Sequence, residues 1–342
     1  MMATPERLRA GVVGAGHMGT YHALVYAELW EVDLVGVVDI DEGRAAAVAG
    51  HYGTRAFGDH RDLIGRVDVA SIAVPTEQHF HVARDLLEAG VSVLVEKPMT
   101  PTLEEARELY AVARRAGTIV QVGHVERFNG AVQELRKIVS RPILVESRRL
   151  GPFVPRVQKD SVVMDLMIHD IDIVAALVDS RPRRLAALGS AVHSDVTDVA
   201  SVQLWFESGT IATITASRAT EQKIRTLAIT QPDAYIVLDY SEQDIQIHRR
   251  AAQEYTVNRE SIRYRTASFI ERLFVSKDNP LKLEIRNLVE TVQRLRRGGP
   301  LELSESEDVR SLAMALEIER MVRDGIAEQP WPRELPWSAR SD

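Results

Sequence analysis

Residues 8–19 read Leu8-Arg9-Ala10-Gly11-Val12-Val13-Gly14-Ala15-Gly16-His17-Met18-Gly19, and they decide the fold. Leu8-Val13 is an apolar run of the kind carried by a strand covered on both faces. The next six residues have the spacing G-x-G-x-x-G and lead into a helical pattern over 17–29. Each glycine has a separate task in such a turn: Gly14 permits the sharp reversal, Gly16 lets the backbone approach a pyrophosphate, and Gly19 allows close helix–strand packing. The helix start adds unsatisfied N–H groups and a positive dipole end, which suit phosphates. A second apolar run, Val32-Val38, ends at Asp39, twenty residues past Gly19. A carboxylate there accepts hydrogen bonds from adenosine ribose hydroxyls. Asp41 and Glu42 add two more negative charges against a 2′-phosphate, so NAD is expected rather than NADP. Arg44 is the counter-signal, since an arginine could serve a phosphate, and a glycine-rich turn with no dinucleotide is the plain alternative.

Outward from this loop, Val69-Val74, Val91-Val95 and Ile119-Val122 read as further strands, with helices near 42–51, 78–89 and 102–116. Alternating β and α units predict a parallel sheet covered by helices on both sides. The pattern then changes. A helix near 130–139 and a strand at Ile143-Leu150 precede a helical stretch over 162–178, and strands are expected at 184–193, 197–207, 210–219, 224–230 and 234–239. Strand following strand predicts a mostly antiparallel sheet with one open face. Helical patterns at 281–297 and 304–324 close the chain, the second opening on the capping-box sequence Ser304-Glu305-Ser306-Glu307. Residues 250–280 are polar and irregular and carry no assignment. The expected division is 1–124 for a dinucleotide-binding domain and 125–342 for a substrate-binding and oligomerisation domain.

The 342 residues suffice for two cores. A hydrophobic share of 45% and a charged share of 27% are those of a globular protein, and the formal charge of −7 argues against a broad nucleic-acid surface. The chain has no cysteine, which removes disulfides, thiolate catalysis and cysteine-ligated metals. No apolar run approaches the roughly 18 residues of a membrane helix. The opening residues carry Glu6, Arg7 and Arg9 and show no secretory pattern, so a cytoplasmic location is the default expectation.

Three segments carry candidate chemistry. Val95-Glu96-Lys97-Pro98 puts a lysine at the C-terminal end of a parallel strand, the edge where open α/β sheets bind ligands; a solvated lysine is the alternative. In Asp165-Leu166-Met167-Ile168-His169-Asp170-Ile171-Asp172, Asp165 and His169 share a helix face, which continues to Asp172. A histidine with a carboxylate suits general-base chemistry. A metal site competes with that reading but lacks further ligands at suitable spacing, and a surface histidine is the bland alternative. Gln121-Val122-Gly123-His124-Val125-Glu126-Arg127-Phe128-Asn129 stands where the parallel sheet ends, as either a binding wall or an ordinary linker.

The glycine loop, Pro75-Thr76-Glu77-Gln78-His79, Glu96-Lys97-Pro98 and Asp165-x-x-x-His169, in that order and spacing, resemble the Gfo/Idh/MocA oxidoreductases. The resemblance covers nearly the whole chain, including Pro280-Leu281-Lys282-Leu283-Glu284 and the final helix. It implies an α/β protein: an N-terminal Rossmann doubly wound parallel sheet, then an α+β domain with a mostly antiparallel open sheet. Homo-dimers or homo-tetramers are also implied, as is NAD-dependent oxidation of a secondary hydroxyl of a sugar or cyclitol, or its reverse. By position, Lys97, Asp165 and His169 match the family's catalytic set. The cofactor set comprises Gly14, Gly16, His17, Met18, Gly19, Asp39, Arg44, Val74, Thr76, His79, Glu96 and Lys97, with Thr76 and Glu96 beside the nicotinamide and His79 in support. His169 is expected to take the hydroxyl proton, Lys97 to hydrogen-bond the developing alkoxide, and Asp165 to hold one of them in place.

The stretches 123–129, Arg149-Leu150-Gly151-Pro152-Phe153 and 165–172 are most similar to the nucleotide-sugar branch, the UDP-N-acetylglucosamine 3-dehydrogenases. Free-sugar members tend to carry a glycine after the aspartate. This implies oxidation at carbon 3 of a UDP-N-acetyl-hexosamine to a keto sugar. The implied substrate-binding set is Lys97, Glu126, Arg127, Asn129, Arg149, Arg156, Lys159, Asp165 and His169. Arginines, Arg148 among them, suit a diphosphate through paired donors, and a solvated basic strand edge is the alternative. Alternative functions are an inositol or free-hexose dehydrogenase, a redox-inactive NAD-binding regulator, and a hydrolase that keeps NAD bound.

Overall fold

A computed structural model describes residues 7–155, 159–250, 254–258, 261–265, 268–332 and 335, so Arg156 lies outside the described residues. The chain forms two compact units: 1–128 with 279–313, and 129–278 with 314–342. The first therefore includes residues that a division at 124/125 assigns to the second.

The first unit is built on six parallel strands: β1 (Leu8–Val13), β2 (Val32–Val38), β3 (Arg55–Phe57), β4 (Val69–Ile72), β5 (Ser92–Val95) and β6 (Val120–Val122). Their order is β3-β2-β1-β4-β5-β6, so the direction of winding reverses beside β1. That reversal opens a crevice at the C-terminal ends of the strands, where such sheets bind ligands. Helices α1 (His17–Glu28), α2 (Glu42–Tyr52), α3 (Thr76–Glu88) and α4 (Leu103–Ala116) cross between strands. Except for Arg9, β1 is buried on both faces, as its unbroken apolar run requires.

A later helix, α7 (Pro280–Arg296), returns to this unit. Its Ile285, Leu288, Val289 and Val292 share a core with Leu8, Ala10, Val12, Val37 and Leu94 of the sheet and Ala23 and Tyr26 of α1. Each fully buried leucine or isoleucine there contributes about 1.5–3 kcal/mol relative to exposure. Asn279 caps α7 by accepting the backbone N–H of Leu281 at 3.0 Å, and Pro280 occupies the first turn, where its missing N–H costs nothing.

The second unit centres on nine strands. Its inner strands are β7 (Leu144–Leu150), β8 (Pro182–Ser190), β9 (Val199–Phe206), β10 (Ile211–Ser217), β11 (Ile224–Gln231), β12 (Ala234–Asp239) and β13 (Asp244–Arg250), with β7 inserted between β11 and β10. The edges are β16 (Ser268–Arg272) and β17 (Glu328–Pro330), and β14 (Glu254–Asn258) pairs with β15 (Ser261–Arg265) separately. All neighbours in the large sheet are antiparallel except β7 and β10. Alternation puts Val145, Val202, Leu204, Ile214, Leu227, Ile236 and Ile245 on one buried face. That face packs on α5 (Gly130–Ile138), on α6 (Ile168–Val178), and on Met314, Ile318 and Met321 of α8 (Glu305–Asp324). The opposite face is open and carries Glu146, Arg148, Leu188 and Tyr235. The stretch expected as one helix over 162–178 begins instead with a π-helical turn, Val163–Met167, before α6.

Candidate active site and cofactor loop

The glycine loop separates internal from external requirements. Gly14 has φ +98°, and a Cβ there would lie 2.4 Å from the Ala73 carbonyl oxygen. At Gly19 a Cβ would lie 1.7 Å from the Gly14 carbonyl oxygen. The fold itself therefore demands both glycines. At Gly16 a Cβ would meet nothing within 4 Å. No packing accounts for a glycine there, whereas close approach of a ligand does. Gly16 is also the N-cap of α1, with no side-chain cap and no acidic residue in the first turn, so the helix start keeps donors and a positive dipole end for an anion. His17 is exposed and stacks edge-on against Tyr21 at 4.8 Å, and Met18 is exposed beside it.

Asp39 follows β2 and ties the loop together. Its Oδ2 accepts the Ala15 N–H at 2.8 Å, and its Oδ1 accepts the Asp41 N–H at 2.9 Å and Arg44 Nη2 at 3.0 Å. The Arg44 guanidinium also lies 3.4 Å from Asp41, so it is paired to the acidic cluster. The open glycine, the uncapped helix start and the strand-end carboxylate fit an adenine dinucleotide.

Gly14, Asp39, Val74, Lys97 and Gly123 each follow the C-terminal end of a strand, so the sheet brings five sequence-distant positions to one edge. His79, buried on α3, has Nε2 2.9 Å from the Val74 carbonyl oxygen and Nδ1 2.9 Å from that of Pro98. Burial pulls the His79 pKa below the ordinary imidazole value, and this outweighs the opposing effect of the two carbonyls. The ring thereby stands between the loop carrying Val74 and the turn carrying Lys97, its one N–H donating to one of the two carbonyls. Lys97 and Thr76 are half-buried.

Glu96 turns inward. Its Oε1 accepts His22 Nε2 at 2.9 Å, and its Oε2 accepts the Lys97 N–H at 3.3 Å. Burial alone would raise the Glu96 carboxyl, yet the His22 hydrogen bond and the charges of His22 and Lys97 hold it below the usual range. His22, fully buried on α1, did not emerge from the sequence as a site residue; one histidine on an apolar helix face carries no distinguishing signal.

In the second unit, Asp165 lies in the π-turn and His169 in the first turn of α6, both half-buried. π-turns recur at functional positions because they re-aim side chains within a helix. Next to His169, Asp170 is fully buried: it accepts Ser147 Oγ at 2.7 Å and Arg149 Nε at 2.6 Å. The Arg149 guanidinium also lies over the Tyr240 ring, 5.0 Å from its centre. These bonds anchor α6 to β7 and fix the backbone that presents His169.

Several residues expected at a substrate surface have hydrogen-bond or charge partners within the chain. Arg149 is 2% exposed and committed to Asp170. Arg127 is 2.7 Å from Asp308, a carboxylate that also accepts the Tyr110 hydroxyl. Asn129 is buried; its Oδ1 accepts the Ala131 N–H at 3.0 Å as the α5 cap, and its Nδ2 donates to the Tyr240 carbonyl at 3.0 Å. Glu126 and His124 are buried, whereas Arg148 and Lys159 are exposed.

Comparison with known proteins gives the class. Residues 8–124 match the oxidoreductase family model with the NAD-binding Rossmann fold, and residues 130–236 match the GFO/IDH/MocA C-terminal domain. The chain is 38% identical over 246 residues to the UDP-N-acetylglucosamine 3-dehydrogenase of Acidithiobacillus ferrooxidans, covering 72% of this chain and 78% of that protein. It belongs to the Gfo/Idh/MocA oxidoreductase family. A solved structure of the Acidithiobacillus enzyme superposes with a TM-score of 0.82 at 33% identity, covering 93% of this chain and 98% of that one. Inositol 2-dehydrogenase 3 of Saccharopolyspora erythraea is 31% identical over 195 residues, 52% of this chain and 58% of that protein. The myo-inositol 2-dehydrogenase structure from Lactobacillus plantarum shares the fold, with a TM-score of 0.77 at 19% identity, 95% of this chain and 99% of that one. This Gfo/Idh/MocA protein is therefore an NAD-dependent oxidoreductase whose first unit is the NAD-binding Rossmann fold. Among the described residues no helix is long and apolar enough to cross a membrane.

Proposed function

We propose that this Gfo/Idh/MocA oxidoreductase oxidises the carbon 3 hydroxyl of a UDP-N-acetyl-hexosamine to a keto sugar. The observation that carries the reading is the likeness to the Acidithiobacillus UDP-N-acetylglucosamine 3-dehydrogenase, which extends over nearly the whole of that enzyme's length. When bound, NAD supplies hydride acceptance from a carbinol carbon. The chain's own residues supply position and charge. The bare Gly16 backbone and the α1 N-terminus would hold the pyrophosphate, and Asp39 would hold the adenosine ribose.

Lys97 donates a hydrogen bond to the substrate oxygen as negative charge grows on it, which lowers the barrier because that charge is larger in the transition state than in the ground state. His169 removes the hydroxyl proton, and Asp165 orients the proton-transfer set from the π-turn. His79 keeps the Lys97 turn and the Val74 loop that leads into α3 in register. The exposed Lys159, with Arg156 nearby in sequence, offers positive charge for a diphosphate, whereas Arg127 and Arg149 already have carboxylate partners within the chain. As part of the same proposal the enzyme works in the cytoplasm, and the open face of the nine-stranded sheet, with Leu188 and Tyr235 exposed, supports association into a homo-dimer or homo-tetramer.

The test is reduction of NAD with UDP-N-acetylglucosamine, myo-inositol or glucose supplied separately. UDP-N-acetylglucosamine should give a kcat/KM at least a hundredfold above the other two. Preference for myo-inositol would replace this reading with the inositol dehydrogenase one.

A further inference from the structure

Beneath the Lys97 turn lies a second buried carboxyl group that the chemistry above does not use. Glu284 stands in the first half of α7, on the side packed against β5 and the Val125–Phe128 turn. It is fully buried, and neither of its carboxyl oxygens has a hydrogen-bond partner among the described residues. Its backbone is held firmly: Gln121 Nε2 donates to the Glu284 carbonyl at 3.0 Å, and Gln121 Oε1 accepts Asn287 Nδ2 at 2.9 Å. The side chain is thus fixed in the interior.

The titratable groups that face Glu284 come from three elements. Glu96, after β5, carries a carboxylate already engaged with His22 Nε2 and the Lys97 N–H. Arg127, in the Val125–Phe128 turn, is the cation, but its guanidinium is paired with Asp308 at 2.7 Å. Tyr26, on α1, bonds Ser71 at 3.0 Å and is raised by burial and by Glu284. An isolated buried carboxylate is among the most costly groups a fold can hold, and a second one nearby adds repulsion. Two neighbouring carboxyls resolve this by keeping one proton between them.

We propose that Glu284 is a positioning residue for Lys97: a carboxylic acid that stays protonated behind Glu96 and so leaves a single negative charge under the turn. Glu96 is the anion, with His22 and the Lys97 backbone as its donors; Glu284 is the neutral acid. Burial first, and the Glu96 charge second, drive the Glu284 carboxyl well above its ordinary value, with Arg127 opposing weakly. If Glu284 lost its proton, repulsion would push Glu96 away and displace the Lys97 turn bonded to it. The positioning half rests on the Lys97 role proposed above; the proton half does not.

Glu284→Gln keeps the shape of the neutral acid and cannot ionise. The sign follows from linkage: the native chain holds a proton that the unfolded chain releases above about pH 4.5, so the wild type loses stability as pH rises. Between pH 6 and 8 the wild-type unfolding equilibrium constant should therefore grow up to about tenfold per pH unit relative to Glu284→Gln, read by denaturant unfolding without cofactor. Identical pH slopes in the two proteins would overturn the proton assignment.

With NAD and substrate, Glu284→Gln should keep kcat within about twofold at pH 7. Glu284→Ala should lose about tenfold in kcat while its NAD dissociation constant, measured by calorimetry, stays within twofold. Loss of NAD affinity together with kcat in Glu284→Ala, or no loss of kcat at all, would overturn the positioning role. Full activity of Lys97→Met would instead refute the Lys97 reading and leave the stability slope unaffected.

Discussion

Two single-methyl additions to the glycine loop separate what the fold needs from what the cofactor needs. In Gly19→Ala the new Cβ would fall 1.7 Å from the Gly14 carbonyl oxygen and 2.8 Å from its carbon, so α1 and β1 must separate by more than an ångström to accept it. Both neighbours are backbone, which cannot rotate aside as a side chain can. Overpacking of this kind costs about 1–3 kcal/mol, and a backbone-on-backbone clash belongs at the upper end. At about 2–4 °C per kcal/mol for a domain of this size, the apo protein should unfold roughly 6–12 °C lower. In Gly16→Ala the Cβ meets nothing, and the loss is a helix-cap preference of about 1 kcal/mol or less. Its penalty should appear in the cofactor. A charge-assisted hydrogen bond from a backbone N–H to phosphate is worth about 1.5–3 kcal/mol, so a methyl that holds the pyrophosphate off one donor should weaken NAD about tenfold to a hundredfold. Thermal unfolding without NAD and calorimetric titration with it read the two effects separately. The reasoning fails if Gly16→Ala lowers apo stability as much as Gly19→Ala does, or if it binds NAD within twofold of the wild type.

Two further outcomes follow from the buried charges. Asp170→Asn should destabilise the second unit by about 3–5 kcal/mol, because it strands Arg149 without its counter-charge; a change under about 1 kcal/mol in denaturant unfolding would contradict the anchoring role. For Asp68, burial alone would raise the carboxyl, but hydrogen bonds from Arg9 and Arg296 bring it down to about 2. A lowered carboxyl pKa gives stability that is present above about pH 4 and is lost as pH falls through 2. Asp68→Asn should therefore flatten the acid limb of the stability curve by at most about 2 kcal/mol, less whatever solvent screens from the half-exposed arginines.

The parts legible in the sequence were those with strong local signals. The run at 8–13 is β1 with the same limits, and the glycine spacing and Asp39 stand where the motif puts them, because one unbroken buried strand and one glycine turn are local facts. β3 carries no sequence signal, since Arg55–Phe57 is a three-residue edge strand, exposed at two positions and with no period to read. The apolar face of α7 was visible, but periodicity says that a face is buried and not which sheet buries it. The strands within 244–272 are short and polar, which masks alternation.

Among site residues, the strand-end positions were readable from the βα pattern. The internal partners of Arg127, Asn129 and Arg149 were not, because charge and polarity normally mark a surface. Their partners Asp308, Tyr240 and Asp170 are brought in by tertiary packing from 181, 111 and 21 residues away. The same holds for Glu96, whose inward turn depends on His22 in α1, and for Glu284, whose carboxyl meets that cluster only when α7 docks.

Under the proposed function, hydride leaves carbon 3 of a nucleotide sugar while the chain's own residues manage the proton. UDP-N-acetylglucosamine deuterated only at carbon 3 tests it most directly, with NAD and the purified protein, reading the reduced cofactor by mass spectrometry. Oxidation at that carbon should give reduced cofactor one mass unit heavier and a sugar product two mass units below the unlabelled substrate. Reduced cofactor without deuterium, or a sugar product still carrying it, would contradict oxidation at that carbon.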